Sequence, residues 1–129
     1  MTVNPEFWAE FTANYVELFN SHDVDGLYEI YSDTGVLVLE PGVALPKSED
    51  MKAGIKEYFA TLQPKLTADV KLSYQAGDLV LLIVEWTLTT TADGETTTRA
   101  GRAVDILVKD PDGVWRYAVD NHSGTDLPE

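Results

Sequence analysis

The sequence GDLVLLIVEWTLTTTADGETTTRAGRAVDILVK, at residues 77–109, consists of two long runs rich in Val, Ile, Leu and Thr. The dipeptide Asp93-Gly94 lies between the two runs. β-Branched residues favour strands, and Asp-Gly between two such runs is typical of a tight hairpin turn. We therefore predict two strands, at residues 79–90 and 96–109, that form a hairpin in the middle of a twisted sheet.

One carboxylate interrupts the second of these strands. Asp105 lies in an otherwise apolar segment, and strand alternation places it on the same face as Ala103 and Leu107. If that face is dry and no cation pairs with the carboxylate, the loss of solvation raises its pKa and makes it a hydrogen-bond donor. The alternative is an ordinary structural ion pair with Arg99 or Arg102.

Apolar residues at helical spacing predict three helices. The first follows Asn4-Pro5 and ends near Asn20, and the second covers residues 24–31. The third begins after an N-cap at Ser48 and ends near Leu62. We further expect a turn at 32–35, a strand at 36–39, a loop at 43–47, and strands at 67–75 and 115–122.

This order of elements predicts an α+β fold, a single domain over residues 1–129 in which three N-terminal helices pack in a curved, mainly antiparallel sheet. Such a cone encloses a cavity suited to a small apolar molecule. The strand at 79–84 is apolar at every position, whereas the helices can cover only one sheet face. We therefore expect a homodimer through the outer face. Alternation assigns to that face Val104, Ile106, Trp115, Tyr117 and Val119.

The composition excludes several classes of partner and site. Nine Lys and Arg against 22 Asp and Glu give a formal charge of -13, which repels nucleic acid and anionic membranes. Without cysteine there is no disulfide or thiolate metal site, and no motif for a phosphate or a dinucleotide occurs, so we predict no cofactor and no metal. The N-terminus lacks the pattern of a signal peptide, and no run is long enough to cross a bilayer, so we expect a cytoplasmic protein.

Four further polar residues are candidates for chemistry. Tyr15 lies on the inner face of the first helix, and Glu40 ends an apolar strand immediately before a proline. Asp120 and His122 share one face at the end of the last strand, which alternation makes the face opposite Trp115. Each has a structural alternative, since Tyr15 could be a core residue, Glu40 a turn residue, and the last pair a solvated strand end.

Several segments resemble the ketosteroid isomerases. They are YVELFN at 15–20, DVDGL at 23–27, IYSD at 30–33, VLVLEPG at 36–42, GIKEYF at 54–59 and AVDI at 103–106. The resemblance implies that Tyr15 and a neutral Asp105 donate hydrogen bonds to a substrate oxygen, and a neutral aspartic acid is an established feature of that family. It also implies that Glu40 moves a proton between carbons beside the carbonyl, with Tyr31 in support. The family's base is usually aspartate, so Glu40 is one methylene longer.

The C-terminal half resembles other members of the nuclear transport factor two superfamily, whose fold is a cystatin-like cone. The matching segments are Gly77-Asp78, GVWR at 113–116 and NHS at 121–123. That superfamily includes SnoaL-like polyketide cyclases and the association domain of calmodulin-dependent kinases. One fold of this kind supports many activities, so the fold alone does not identify the reaction.

The sequence thus predicts a protein that binds a small molecule, with three functions left open. The first is an isomerase that moves a proton next to a carbonyl, in which replacing Glu40 by Gln abolishes turnover. The second is a non-catalytic ligand-binding or dimerisation module in which Glu40 does not reach the ligand. The third is a cyclase or hydratase in which Asp120 and His122 hydrogen-bond each other. The predicted catalytic residues are Tyr15, Glu40 and Asp105, and the predicted substrate contacts are Phe19, Tyr31, Phe59, Trp86, Asp120 and His122.

Overall fold

The computed structural model describes residues 2–129, and this range forms an α+β fold in which helices pack against a curved, open sheet. The helices are α1 (Pro5–Asn20), α2 (Val24–Glu29) and α3 (Glu49–Leu62). The strands are β1 (Tyr31–Glu40), β2 (Val43–Pro46), β3 (Lys65–Ala76), β4 (Leu79–Ala92), β5 (Glu95–Lys109) and β6 (Trp115–Asn121). They lie in the order β2-β1-β6-β5-β4-β3, and only the β1 and β6 pair is parallel. The predicted fold class is confirmed.

The β4–β5 hairpin is the longest paired element of the sheet. Its turn is Asp93-Gly94, and both residues have positive φ, 55° and 78°. Two positive φ angles match the twist of the flanking strands, and glycine adopts them without steric cost. Leu82 pairs with Asp105 in the register, so the carboxylate lies among the buried side chains of β4. The predicted hairpin and the predicted face of Asp105 are both confirmed.

The helix ends follow the sequence signals. The Asn4 side chain accepts a hydrogen bond from the Glu6 amide, and Pro5 occupies the first position of α1. The Ser48 hydroxyl accepts one from the Met51 amide at 3.2 Å, which begins α3 where predicted. These side chains satisfy amide groups that have no partner within the helix.

Three local predictions between α2 and α3 are wrong. Tyr31 does not belong to the second helix but begins β1, where it pairs with Tyr117. Residues 32–35 are not a separate turn, because the strand continues through them with a shift of register before Val36. Residues 43–46 are strand β2 rather than loop, and the proline in it is tolerated because β2 is the edge of the sheet. Pairing with neighbouring strands overrides the local turn propensity in each case.

A bulge in β6 also reverses part of the predicted alternation. Ile106 pairs with Val119 while Leu107 pairs with Tyr117, so β6 contains one extra residue at this point. Trp115 and Tyr117 are consequently buried beneath the helices, and their assignment to the outer face is wrong. Trp115 packs edge-to-face against Trp8 of α1, with ring centroids 4.9 Å apart.

The outer face of the sheet remains partly open to solvent. Leu72, Tyr74 and Leu79 are 50%, 60% and 49% exposed, although all three are large and apolar. The strand registers place them on one face with Leu81, Ile83, Val104, Ile106 and Val119. Among residues 2–129, the helices are all too short or too polar to span a bilayer.

Candidate active site

A cavity of about 490 Å³ lies between the helices and the concave face of the sheet. Most of its lining is apolar, which is typical of a site for a small organic molecule. All six residues predicted as substrate contacts line it, namely Phe19, Tyr31, Phe59, Trp86, Asp120 and His122. Tyr15 and Asp105, two of the three residues predicted to be catalytic, also line it.

Two carboxyl groups share the polar part of the cavity. Asp105 of β5 and Asp120 of β6 are only 4% and 6% exposed, and each lies within hydrogen-bonding reach of the other. Burial, followed by the nearby charge of Asp120, holds the pKa of Asp105 well above its ordinary value of 3.8. The Asn121 amide donates to Asp105 Oδ1 at 2.9 Å and offsets part of this rise. Asp105 is therefore the member of the pair that holds the proton, and its O–H donates a hydrogen bond to Asp120.

Asp120 is the acceptor of this network. Burial raises its pKa as well, but hydrogen bonds from Tyr31 and Asp105 and the proximity of His122 favour its charged form. The Tyr31 hydroxyl donates to Asp120 Oδ2 at 2.5 Å, a length typical of a charge-assisted bond. Lys47 Nζ donates to the Tyr31 carbonyl at 2.8 Å and fixes the start of β1. The parallel pairing of β1 with β6 thus brings Tyr31 to Asp120.

Helix α1 contributes two hydroxyl groups to the cavity. Burial, followed by the charges of Asp120 and Asp105, raises the pKa of Tyr15 well above 10, so Tyr15 remains a hydrogen-bond donor. Its ring packs edge-to-face on Tyr117 at 5.5 Å. Thr12, one turn earlier, is 4% exposed, and within residues 2–129 its hydroxyl has no hydrogen-bond partner. A buried hydroxyl without a partner costs free energy, and a polar ligand atom would remove that cost.

His122 lies beside the carboxyl pair and also lines the cavity. Burial lowers its pKa below the ordinary value of 6.5, and the positive charge of Arg99 lowers it further. Asp120 and the Val38 carbonyl oppose the shift without reversing it. The imidazole is therefore neutral at neutral pH and has a lone pair available to accept a proton. The Trp86 indole donates to the His122 carbonyl at 3.0 Å and holds this segment against β4.

The structure places Asp120 and His122 on one face, as predicted, but it does not hydrogen-bond them to each other. Asp120 is bonded to Tyr31 and Asp105 instead. The predicted opposition to Trp115 is wrong, because the bulge in β6 returns Asp120 to the inner face that Trp115 also occupies.

Glu40 does not share the cavity with Tyr15 and Asp105, so the expectation that all three line one site is wrong. It is exposed, and the pairing of β1 with β2 shifts register between Val38 and Glu40. This irregularity ends the alternation one residue before the carboxylate. Glu40 lines a neighbouring groove of about 680 Å³ together with Pro41.

Trp86 lies where the groove adjoins the cavity and lines both, as do Leu39, Arg99 and His122. Its ring lies directly over Gly101 of β5, where an added Cβ would be 2.5 Å from Trp86 Cζ2. Only glycine leaves room for the ring at this position, so Gly101 allows the Trp86 indole to lie here. Within residues 2–129, no three His, Asp or Glu side chains converge in a way that could hold a metal ion.

The lining residues that were not predicted from the sequence include Thr12, Arg99 and Tyr117. Thr12 could have been found, because it precedes Tyr15 by three residues and shares its helix face. Arg99 lies on the same strand face as Asp105, six residues away, so alternation also indicates it. Tyr117 could not have been found, because the bulge that turns it inward leaves no evident signal in the sequence.

The chain belongs to the SnoaL-like domain family, whose sequence profile matches residues 12–125. The comparison with curated proteins finds no match.

Several solved structures are similar to this fold. A ketosteroid isomerase-like protein from Erwinia carotovora atroseptica is 24% identical, with 96% of this chain and 99% of that chain covered and a TM-score of 0.75. A putative scytalone dehydratase from Novosphingobium aromaticivorans is 9% identical, with 94% and 92% covered and a TM-score of 0.77. A putative calcium/calmodulin-dependent protein kinase II association domain from Xanthomonas campestris is 17% identical, with 99% and 91% covered and a TM-score of 0.76. At these identities the likeness concerns the fold alone.

Proposed function

We propose that this SnoaL-like protein is an acid–base enzyme that moves a proton next to a carbonyl group of a small apolar molecule. One observation carries the proposal: Asp105, Asp120 and His122 meet in a largely apolar cavity, where burial raises the pKa of Asp105 and lowers the pKa of His122. A carboxyl group that keeps its proton because its pKa is raised, and an imidazole that is neutral at neutral pH, are the acid and the base that such a reaction requires. The names of two similar folds, isomerase-like and putative dehydratase, are compatible with this chemistry.

His122 is the base in this mechanism. It removes a proton from the carbon beside the carbonyl, and the electron pair moves to the carbonyl oxygen. The imidazolium that forms is stabilised by the negative charge of Asp120. It then gives the proton to a different carbon conjugated with the carbonyl, which completes an isomerisation. Alternatively, the imidazolium exchanges this proton with solvent and gives a solvent hydron to the same carbon, which results in exchange. A positioned base of this kind contributes a factor of about 10² to 10⁴ to the rate.

Tyr15 and Asp105 act on the carbonyl oxygen. Tyr15 donates a hydrogen bond to it. When the substrate is bound, Asp105 turns its O–H from Asp120 to this oxygen, donates a hydrogen bond as negative charge develops there, and keeps the proton when the carbonyl re-forms. One donor at a developing oxyanion contributes about 3–4 kcal/mol. Tyr31 keeps its hydrogen bond to Asp120 and so maintains the orientation of the carboxyl pair.

The test is proton exchange into β-tetralone, a small apolar ketone, followed by NMR in deuterium oxide. We expect the wild-type protein to accelerate exchange at the carbons beside the carbonyl. His122→Gln should lower that acceleration about 100-fold, because the base is lost while the side chain stays polar. Glu40→Gln is the matched control and should exchange at the wild-type rate. Full activity of His122→Gln, or loss of activity in Glu40→Gln, would contradict the proposal.

A non-catalytic ligand-binding module is the second candidate function. The position of Glu40 favours it, because the expected base lies outside the cavity, as this function requires. It predicts that the wild-type protein binds β-tetralone but leaves its exchange rate at the level of buffer. The same experiment therefore separates the two candidates.

We also propose that the protein is a homodimer. The apolar outer face of β3, β4, β5 and β6, which includes Leu72, Tyr74 and Leu79, is large and exposed, and such a face favours a protein–protein contact. Replacing Ile83 by Glu puts a charge at the centre of this face and should give a monomer in sedimentation equilibrium. A wild-type monomer at micromolar concentration would contradict the dimer.

A further inference from the structure

Arg99 occupies the junction between the cavity and the groove. It lies on β5 opposite Leu88 of β4, and it lines both concavities. Among residues 2–129, it is the only Lys or Arg that lines the cavity. Its positive charge reaches the interior, since it lowers the pKa of both His122 and Tyr58.

Arg99 has no anionic partner in the part of the chain that the structure describes, although the protein has a net charge of -13. The other two arginines are paired. Arg102 donates to Glu85 at 2.9 Å, and Arg116 donates to two aspartates at 2.9 and 2.8 Å. An unpaired guanidinium at the mouth of an apolar cavity is free to bind an anionic group of a ligand.

The inner face of β5 connects this cation to the carboxyl pair. Arg99, Gly101, Ala103 and Asp105 follow one another on that face. Arg99 and Asp105 are six residues apart, which corresponds to roughly 20 Å along an extended strand before the reach of the arginine is subtracted. His122 lies between the two ends, because both Asp120 and Arg99 act on its ring.

We propose that Arg99 binds the carboxylate of an elongated, otherwise apolar substrate whose reacting end lies at Asp105 and Asp120. The planar guanidinium matches the two oxygens of a carboxylate, and an apolar body of one to three rings would occupy the space between. The orientation of the substrate rests on the proposed function, whereas the preference for a carboxylate rests on Arg99 alone.

The acidic surface explains why the apolar body is needed. A negative field opposes the approach of any anion, and Glu40 and Asp126 line the groove next to Arg99. A small free anion would therefore bind weakly. An aromatic acid gains free energy from the cavity walls, and only then does its carboxylate reach the arginine.

The experiment compares naphthoate with naphthamide, a pair of equal shape that differs in charge, by isothermal titration calorimetry at about pH 7.5. We expect the wild-type protein to bind naphthoate about tenfold more tightly, as a charge-assisted hydrogen bond provides. Arg99→Gln should bind both probes equally. Arg102→Gln is the matched control, because Arg102 lines the groove but is paired with Glu85, and it should keep the preference.

Equal affinity of the two probes for the wild-type protein, or a preference that persists in Arg99→Gln, would overturn the inference, as would the failure of naphthoate to bind. Neither probe has a hydrogen on the carbon beside its carbonyl, so neither can undergo the proposed reaction and the result is independent of catalysis. If the protein prefers naphthoate through Arg99 but does not catalyse proton exchange into β-tetralone, the carboxylate site is supported and the proposed function is contradicted. If the protein catalyses exchange into β-tetralone but shows no preference for naphthoate, the proposed function is supported and the carboxylate site is contradicted.

Discussion

At the level of single residues, the chemistry of the cavity depends on the proton that Asp105 shares with Asp120. Within residues 2–129, no arginine or lysine lies close enough to either carboxyl group to neutralise it, and both groups are almost completely buried. Two such groups cannot both ionise at low cost, so the pair titrates as a unit. The hydrogen bond from Tyr31 and the proximity of His122 favour the charge on Asp120, and the Asn121 amide, which donates to Asp105, opposes this only in part.

Replacing Asp105 by Asn should make stability less dependent on pH. Because burial raises the pKa of Asp105, the unfolded chain releases its proton as pH rises above about 3.8 while the folded protein retains it. The wild-type protein therefore loses stability with rising pH, by about 1.4 kcal/mol for each unit of that pKa rise. Asn preserves both hydrogen bonds without a titrating group. Urea unfolding from about pH 5 to 8 should show a smaller decline for the variant, and equal declines would contradict a protonated Asp105.

His122 should titrate below the ordinary histidine value of 6.5, since burial and Arg99 both disfavour its charged form. In Arg99→Gln one of these causes is removed, so the pKa of His122 should rise. NMR of the His122 imidazole measures this pKa in the wild-type protein and in the variant. A His122 that titrates at or above 6.5 in the wild-type protein would contradict a neutral base at physiological pH.

At the level of elements, the bulge in β6 determines which side chains meet. Without the extra residue, Tyr117 and Asp120 would lie on opposite faces, and the carboxyl pair could not form. The irregular end of β1 has the opposite effect on Glu40, which leaves the cavity. Bulges are frequent beside functional sites because they redirect single side chains without altering the rest of the sheet.

The packing of the Trp86 indole on Gly101 gives a prediction for the stability of the hairpin. Gly101→Ala places a Cβ against the indole, which is also held by its bond to the His122 carbonyl, so we expect a loss of about 1–3 kcal/mol in unfolding free energy. Gly54→Ala is the control, because a Cβ there meets no atom within 4 Å. In helix α3 it should add about 0.5–1 kcal/mol. Denaturant unfolding measures both changes, and a neutral Gly101→Ala would show that the indole can move freely.

At the level of the whole molecule, regular patterns predicted the fold, and irregular ones concealed part of the site. The hairpin, the helix caps and the inward face of Asp105 follow from periodicity and local capping, and the structure agrees with them. Strand β2 and the start of β1 depend on pairing with distant segments, which local propensity does not encode. The inward position of Tyr117 depends on a register shift, and alternation alone predicts the opposite. The resemblance, and not alternation, implies a catalytic position for Glu40, which lies in the groove instead.

The acidic charge of the whole chain contrasts with the single positive charge at the cavity. Acidic residues dominate the chain, yet the cavity is apolar and its one guanidinium is unpaired within residues 2–129. An acidic exterior repels free anions, whereas the cavity mouth attracts them at short range. This combination favours apolar ligands with one negative charge over uncharged apolar ligands and over small free anions.

The shared proton is most directly observed by carbon NMR of the aspartate carboxyl groups, titrated from about pH 3 to 9. We predict that Asp105 and Asp120 titrate as a coupled pair and that Asp105 remains protonated well above pH 3.8. If both carboxyl groups instead lose their protons independently near pH 3.8, the pair has no acid to give, and the proposed proton transfer in this cavity is contradicted.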